Sequence, residues 1–145
     1  MTIGVRHTGI VVQDLDGAIR FWTKLLGLEV VSNQLETGSF IDSLLGIDDV
    51  SVQTVKLKAV DKTMVELLKF GNNGCESDPE KKPNSSGITH IALTVKNIDE
   101  MLVKLRENSY LPINHAQLSD QGHVKVCYLV GFEGILIELV EEVRL

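Results

Sequence analysis

Four residues of this chain have the types and spacing to hold a metal ion: His7 and Glu66 in one half, His90 and Glu138 in the other. Each glutamate sits in the middle of a β-rich apolar run, Met64-Val65-Glu66-Leu67-Leu68 and Leu136-Ile137-Glu138-Leu139-Val140. Apolar residues occupy both alternating faces of these runs, so each strand is expected to be covered on both sides. A buried, unpaired carboxylate would cost several kcal/mol, on the order of the whole stability of a domain. Something cationic should therefore neutralise each glutamate, and Arg and Lys are scarce near these runs. Two imidazoles and two carboxylates form a hard, mixed N/O ligand set, so a shared divalent cation is the economical expectation.

The elements that must position these residues come as a repeat. The stretch from His7 to Leu26 recurs 83 positions later from His90 to Ser109. Each copy opens with a strand-like run, His7-Thr-Gly-Ile-Val-Val or His90-Ile-Ala-Leu-Thr-Val, ending at an N-cap residue, Asp14 or Asn97. Behind the caps, Leu15, Ala18, Ile19 and Trp22 follow helical spacing, and Ile98, Met101, Leu102 and Leu105 repeat it. Asn97 with Glu100 makes a capping-box pattern, and Gly27 and Asn108 stand where a left-handed C-terminal residue is wanted. After each helix a hairpin leads to the glutamate run. The strands are expected at residues 50–59 and 63–70, then 123–130 and 134–141, with further short strands near 29–32 and 112–117.

The unit thus reads βαβββ, and the chain is expected to be α+β: a first module at residues 1–70, a linker at 71–87 and a second module at 88–145. The linker is rich in Gly, Asn and Ser, and its only apolar residue is Cys75. The first copy also carries an insertion around residues 39–46, a short amphipathic helical turn. Its Phe40, Ile41, Leu44 and Leu45 could act as a lid over a pocket or plug the core.

Composition narrows the class of function. With 145 residues, of which 43% are hydrophobic, the chain can bury a core. The net charge of -6 is shared by both halves, so no basic face invites nucleic acid or anionic lipid. No apolar run is long enough to cross a bilayer and the N-terminus has no signal-like pattern, so a cytoplasmic protein is expected. Cys75 and Cys127 are read as free thiols.

Each candidate ligand has a plainer reading. His7 or His90 alone would more often be a strand-end side chain bonded to backbone, and one glutamate alone a groove carboxylate paired with a lysine. The duplication is what favours the metal. His115 and His123 have no partner in the first copy and read as loop or rim residues. Gln53 either faces the cavity of Glu66 or is a polar residue of a sheet edge.

These runs resemble the vicinal oxygen chelate superfamily, which includes glyoxalase I, methylmalonyl-CoA epimerase, extradiol dioxygenases and the fosfomycin- and bleomycin-resistance proteins. The resemblance is carried by His7-Thr-Gly-Ile-Val-Val-Gln-Asp-Leu, Phe21-Trp-Thr-Lys-Leu-Leu-Gly-Leu, His90-Ile-Ala-Leu-Thr-Val and Gly134-Ile-Leu-Ile-Glu-Leu-Val-Glu-Glu. It implies paired βαβββ modules forming a curved mixed sheet around a metal-lined cleft, with His7, Glu66, His90 and Glu138 as ligands and a homodimeric assembly. Whether the modules pair within one chain or swap between two is left open.

The His, Glu, His, Glu order is that of bacterial glyoxalase I. Four protein ligands suit one octahedral ion such as Ni²⁺, Co²⁺, Zn²⁺, Mn²⁺ or Mg²⁺, and count against a non-haem iron dioxygenase, which needs more open positions. The implied chemistry is that of a lyase or isomerase. The ion polarises the carbonyl of a small-molecule substrate and a carboxylate moves the adjacent proton through an enolate, with Glu138 as base and Glu66 its counterpart. The other class is a non-catalytic binding protein of the bleomycin-resistance kind. Val11 stands where bacterial glyoxalase I has an Arg for glutathione, and Phe70 where it has Asn. The turn before the last strand is Gly131-Phe132-Glu133-Gly134 in place of the usual Asp-Pro-Asp-Gly, and the epimerase's extra carboxylate has no match near Gln53.

Overall fold

A computed structural model describes residues 1–71, 82–120 and 122–143. The chain divides into two compact units, Met1–Ser77 and Asp78–Leu145. Cys75 and most of the predicted linker lie outside the described residues.

The first unit contains strand β1 (Thr8–Val11), helix α1 (Leu15–Arg20) continued by a π-helical turn (Phe21–Leu25), β2 (Glu29–Thr37), α2 (Ser39–Leu45), β3 (Ser51–Lys58) and β4 (Met64–Phe70). The second contains β5 (His90–Thr94), α3 (Ile98–Glu107), the two-residue β6 (Gln117–Leu118), β7 (Val124–Val130), a 3₁₀ turn (Phe132–Gly134) and β8 (Leu136–Glu142). Each unit forms one four-stranded mixed sheet, in the orders β1-β4-β3-β2 and β5-β8-β7-β6. The first strand runs parallel to the last, and the remaining pairs are antiparallel. The fold is α+β, built from two βαβββ modules, as the repeat predicts.

Local chemistry explains the helices. Asp14 Oδ1 accepts the Gly17 N–H at 2.9 Å, and Asn97 Oδ1 accepts the Glu100 N–H at 3.1 Å. Glu100 reaches back at 2.9 Å, but to the Asn97 side-chain amide rather than its backbone. The position three residues after each glutamate ties the helix entry to the sheet: Glu141 accepts the Ile98 N–H at 2.7 Å, and Lys69 donates to the Gln13 carbonyl.

The first helix leaves α geometry after Arg20. The wider π turn lets the adjacent rings of Phe21 and Trp22 both turn inward, edge to face with centroids 5.8 Å apart. The second helix ends one residue later than its predicted stop. Asn108 keeps a negative φ and donates its side-chain amide to the Lys104 carbonyl, while Ser109 takes the left-handed conformation at φ 68°.

Alternation divides each sheet into two faces. One face of the first sheet buries Val55, Leu57, Val65 and Leu67; α1 packs against β4, and Ala18 of α1 is buried with Phe21 and Trp22 of the π turn. In the second, Ile137, Leu139, Leu129 and Cys127 pair with Ile98, Leu102 and Leu105 of α3. Glu66 and Glu138 lie on the opposite faces.

The insertion helix α2 covers part of the Glu66 face. Ile41 packs with Val50 and Val52, and Leu68 and Phe70 close the cluster, while Phe40 and Leu44 stay exposed. Ile41 thus acts as a plug. Gly46 ends α2 at φ 66°, and Gly38 rather than Ser39 precedes it, without a side-chain cap.

The predicted short strands differ in length from expectation. β2 runs to Thr37, because it pairs along the full length of β3. Of the 112–117 region only Gln117, with Leu118 just beyond it, joins β7, apart from an isolated bridge between Pro112 and Leu129. Among the described residues no helix is long and apolar enough to cross a membrane.

Cys127 is 3% exposed, and burial pushes its thiol up, partly offset by the Arg106 charge. In a Cys75→Ser variant, iodoacetamide at pH 8 is expected to leave Cys127 unmodified in the folded protein and to alkylate it fully in denaturant. Rapid labelling of the native protein would contradict the burial.

Candidate metal centre

His7 lies one residue before β1 and His90 begins β5, and the parallel registers that follow are the same. Gly9 faces Glu66 and Ala92 faces Glu138, so in each unit the glutamate sits two residues beyond the position opposite the histidine. Residues i and i+2 of a strand share a face, so each imidazole and carboxylate project to the same side. The small residue beside each glutamate leaves room for both.

The structure brings the predicted residues together in pairs. His7 Nε2 lies 3.0 Å from Glu66 Oε2, and His90 Nε2 lies 3.1 Å from Glu138 Oε2. The glutamate side chains are only 13% and 20% exposed. Within either unit the described His, Cys, Asp and Glu gather no group of three that could hold an ion, so each unit offers a pair.

The two pairs have different neighbours. Counting outward from the hairpin turns, Lys56 is opposite Glu66 and Tyr128 is opposite Glu138. Lys56 Nζ lies 3.7 Å from Glu66 Oε1, so that carboxylate is shared between an imidazole and an ammonium. The expectation that lysines are scarce around the glutamate runs is therefore corrected: the lysine is remote in sequence and adjacent across the hairpin.

In the second unit the Tyr128 hydroxyl stands 3.3 Å from His90 Nε2, with the rings edge to face at 5.2 Å. Burial pushes the Tyr128 phenol up, reinforced by its hydrogen bond to Glu138 and by that residue's charge. It remains a neutral O–H donor at ordinary pH. On the other side of the ring, Thr89 Oγ1 is 2.9 Å from His90 Nδ1. A histidine that donates Nδ1–H to this hydroxyl keeps the Nε2 lone pair for a cation.

Gln53 turns away from the site. It pairs with Lys69, out of phase with Glu66, and donates from its amide to Asn33 Oδ1 on the other face of the sheet. His115 and His123 are exposed, in keeping with loop or rim positions. Phe70 is taken up by the apolar cluster under α2, and Val11 is exposed on β1.

The donor chemistry fits a divalent ion. Each pair points an imidazole nitrogen and a carboxylate oxygen at one another, the donors such ions accept. Two ligands about 2.1 Å from an octahedral ion and at right angles are about 3.0 Å apart, which matches both pairs. The same spacing suits a hydrogen bond, in which a proton takes the place of the cation.

The chain belongs to the Glyoxalase/Bleomycin resistance protein/Dioxygenase superfamily, which it matches over residues 6–128. Its structure is similar to that of a glyoxalase family protein from Bacillus cereus, with 27% identity, a TM-score of 0.90 and coverage of 99% of this chain and 97% of the other. A glyoxalase family protein from Enterococcus faecalis is 18% identical, with a TM-score of 0.68 and coverage of 96% and 98%. The fosfomycin resistance protein FosX from Listeria monocytogenes, crystallised in complex with Mn(II) and sulfate ion, is 14% identical, with a TM-score of 0.67 and coverage of 99% and 95%. The last two share the fold. Among functionally curated proteins, none matches the chain.

Proposed function

We propose that the chain is a divalent-metal-dependent lyase or isomerase of the glyoxalase I-like type, with His7, Glu66, His90 and Glu138 as metal ligands. Its substrate is a small carbonyl-containing molecule, and its working form is a homodimer. The observation that carries the reading is the His–Glu pair repeated in the same strand register at 3.0 and 3.1 Å. A single pair would be an ordinary hydrogen bond, but its exact repetition in both modules of a superfamily that includes a Mn(II) complex supports a common ligand role.

When bound, the ion supplies Lewis acidity that eases loss of a proton beside a carbonyl. The chain's own residues divide the rest of the work. Glu138 is the base that takes the proton and returns it. It stands beside His90 and the neutral Tyr128 hydroxyl, which steadies the carboxylate without adding a charge. Glu66 has both oxygens engaged, one by His7 and one by Lys56, and is less able to swing toward a C–H bond. Thr89 holds the His90 ring through Nδ1, and Tyr128 packs edge to face against it.

The test is carbon-acid exchange in deuterium oxide, with hydroxyketones, thioesters and hemithioacetals as substrates. Deuterium uptake that stops on chelation and returns with added metal is the expected result. No uptake by any substrate, with tight ligand binding indifferent to chelators, would replace the enzyme with a binding protein.

A further inference from the structure

The two modules differ in charge at the position directly across the hairpin from each glutamate. Lys56 of β3 stands beside Glu66, whereas the equivalent place on β7, beside Glu138, is held by Tyr128. Two residues along the same face, β3 adds Lys58 and β7 adds Val130. Of these four positions, the two cationic ones lie on the face that carries Glu66.

Lys56 is not fully used by its partner. Its Nζ to Glu66 Oε1 distance of 3.7 Å is longer than the roughly 2.7–2.9 Å of a strong charge-assisted hydrogen bond. Its side chain is 38% exposed, and an ammonium has three donors to place. If Glu66 turns its negative charge to a metal ion, the ammonium is left beside a second cation, and an anion is the partner that relieves both.

We propose that Lys56 is a specificity-determining residue that anchors an anionic group of the substrate, a carboxylate or phosphonate carried on the small carbonyl or hydroxy compound that meets the ion. The inference rests on the metal-site reading above and deepens it. A neutral hydroxyketone lacks this contact.

The test begins with Mn²⁺ uptake by the full chain, read from the loss of the free-ion electron paramagnetic resonance signal. The Mn²⁺-loaded protein is then titrated calorimetrically with lactate, 1-hydroxyethylphosphonate and neutral hydroxyacetone. Lys56→Met is expected to weaken the two anions roughly ten- to hundred-fold while changing hydroxyacetone less than about two-fold. Lys56→Arg, which retains the charge, should recover most of the loss, and Lys56→Gln supplies a second neutral variant if the first folds poorly. Loss of lactate binding alone assigns the anchor to carboxylates, and loss of the phosphonate alone assigns it to phosphonates. Equal weakening of all three probes, or none, with Mn²⁺ still bound, would overturn the anchor and leave the metal site intact. Failure of the wild-type chain to take up Mn²⁺ or any other divalent ion would overturn both.

Discussion

Glu138→Gln is expected to reduce metal-dependent deuterium exchange by about 10²–10⁴-fold, the range over which a positioned general base acts. The amide keeps the size of the carboxylate and one ligand oxygen but cannot take up the proton. Glu138 has His90 Nε2 at 3.1 Å and, beside it, a tyrosine hydroxyl that remains protonated. Metal content must be measured on the same sample, because a lost ligand would also lower exchange. A variant that binds metal and has lost exchange isolates the base. Glu66→Gln is expected to lose less, since Lys56 and His7 already restrain that carboxylate. The reverse order would assign the base to Glu66.

The largest stability effect is expected at Trp22. It is 1% exposed, meets Phe21 edge to face, and lies on the helix that covers the apolar face of the first sheet. Trp22→Ala removes the largest buried side chain of the unit and leaves a cavity that close packing cannot fully collapse. A loss of about 3–5 kcal/mol follows, measured by urea unfolding, out of roughly 5–15 kcal/mol for a typical domain. Exchange activity should fall with the folded fraction, because the same sheet carries Glu66 on its other face. A loss below about 1 kcal/mol would mean that the helix contributes little to the core.

Much of this was legible in the sequence because the signals were local or repeated. Asp14 and Asn97 cap their helices through side-chain oxygens, and helical spacing marked Trp22, Leu102 and Leu105 as buried. Duplication identified each histidine with its glutamate, since one βαβββ connection places both on neighbouring parallel strands.

What escaped notice depended on pairing across turns. Lys56 and Tyr128 each lie ten residues before their glutamate and become its neighbour only once hairpin register is fixed. Counting outward from the turn 60–62 would have found Lys56 and turned Gln53 to the other face, but the second turn spans 131–135 rather than 131–133, so the same count would have put Val126 in place of Tyr128. The π turn at Phe21 and the left-handed Ser109 reflect tertiary packing and helix-end geometry that residue preferences alone do not encode. β6 is short, although its sequence permits more, because few of its residues pair with β7.

The most direct test of the central claim is the metal stoichiometry of four single variants, His7→Ala, Glu66→Ala, His90→Ala and Glu138→Ala, against the wild-type chain, by elemental analysis after gel filtration. One ion per ligand set, with at least a ten-fold loss of affinity in variants of either half, is the expected result. Two independent ions per chain, or full retention of one ion in both variants of either half, would contradict it.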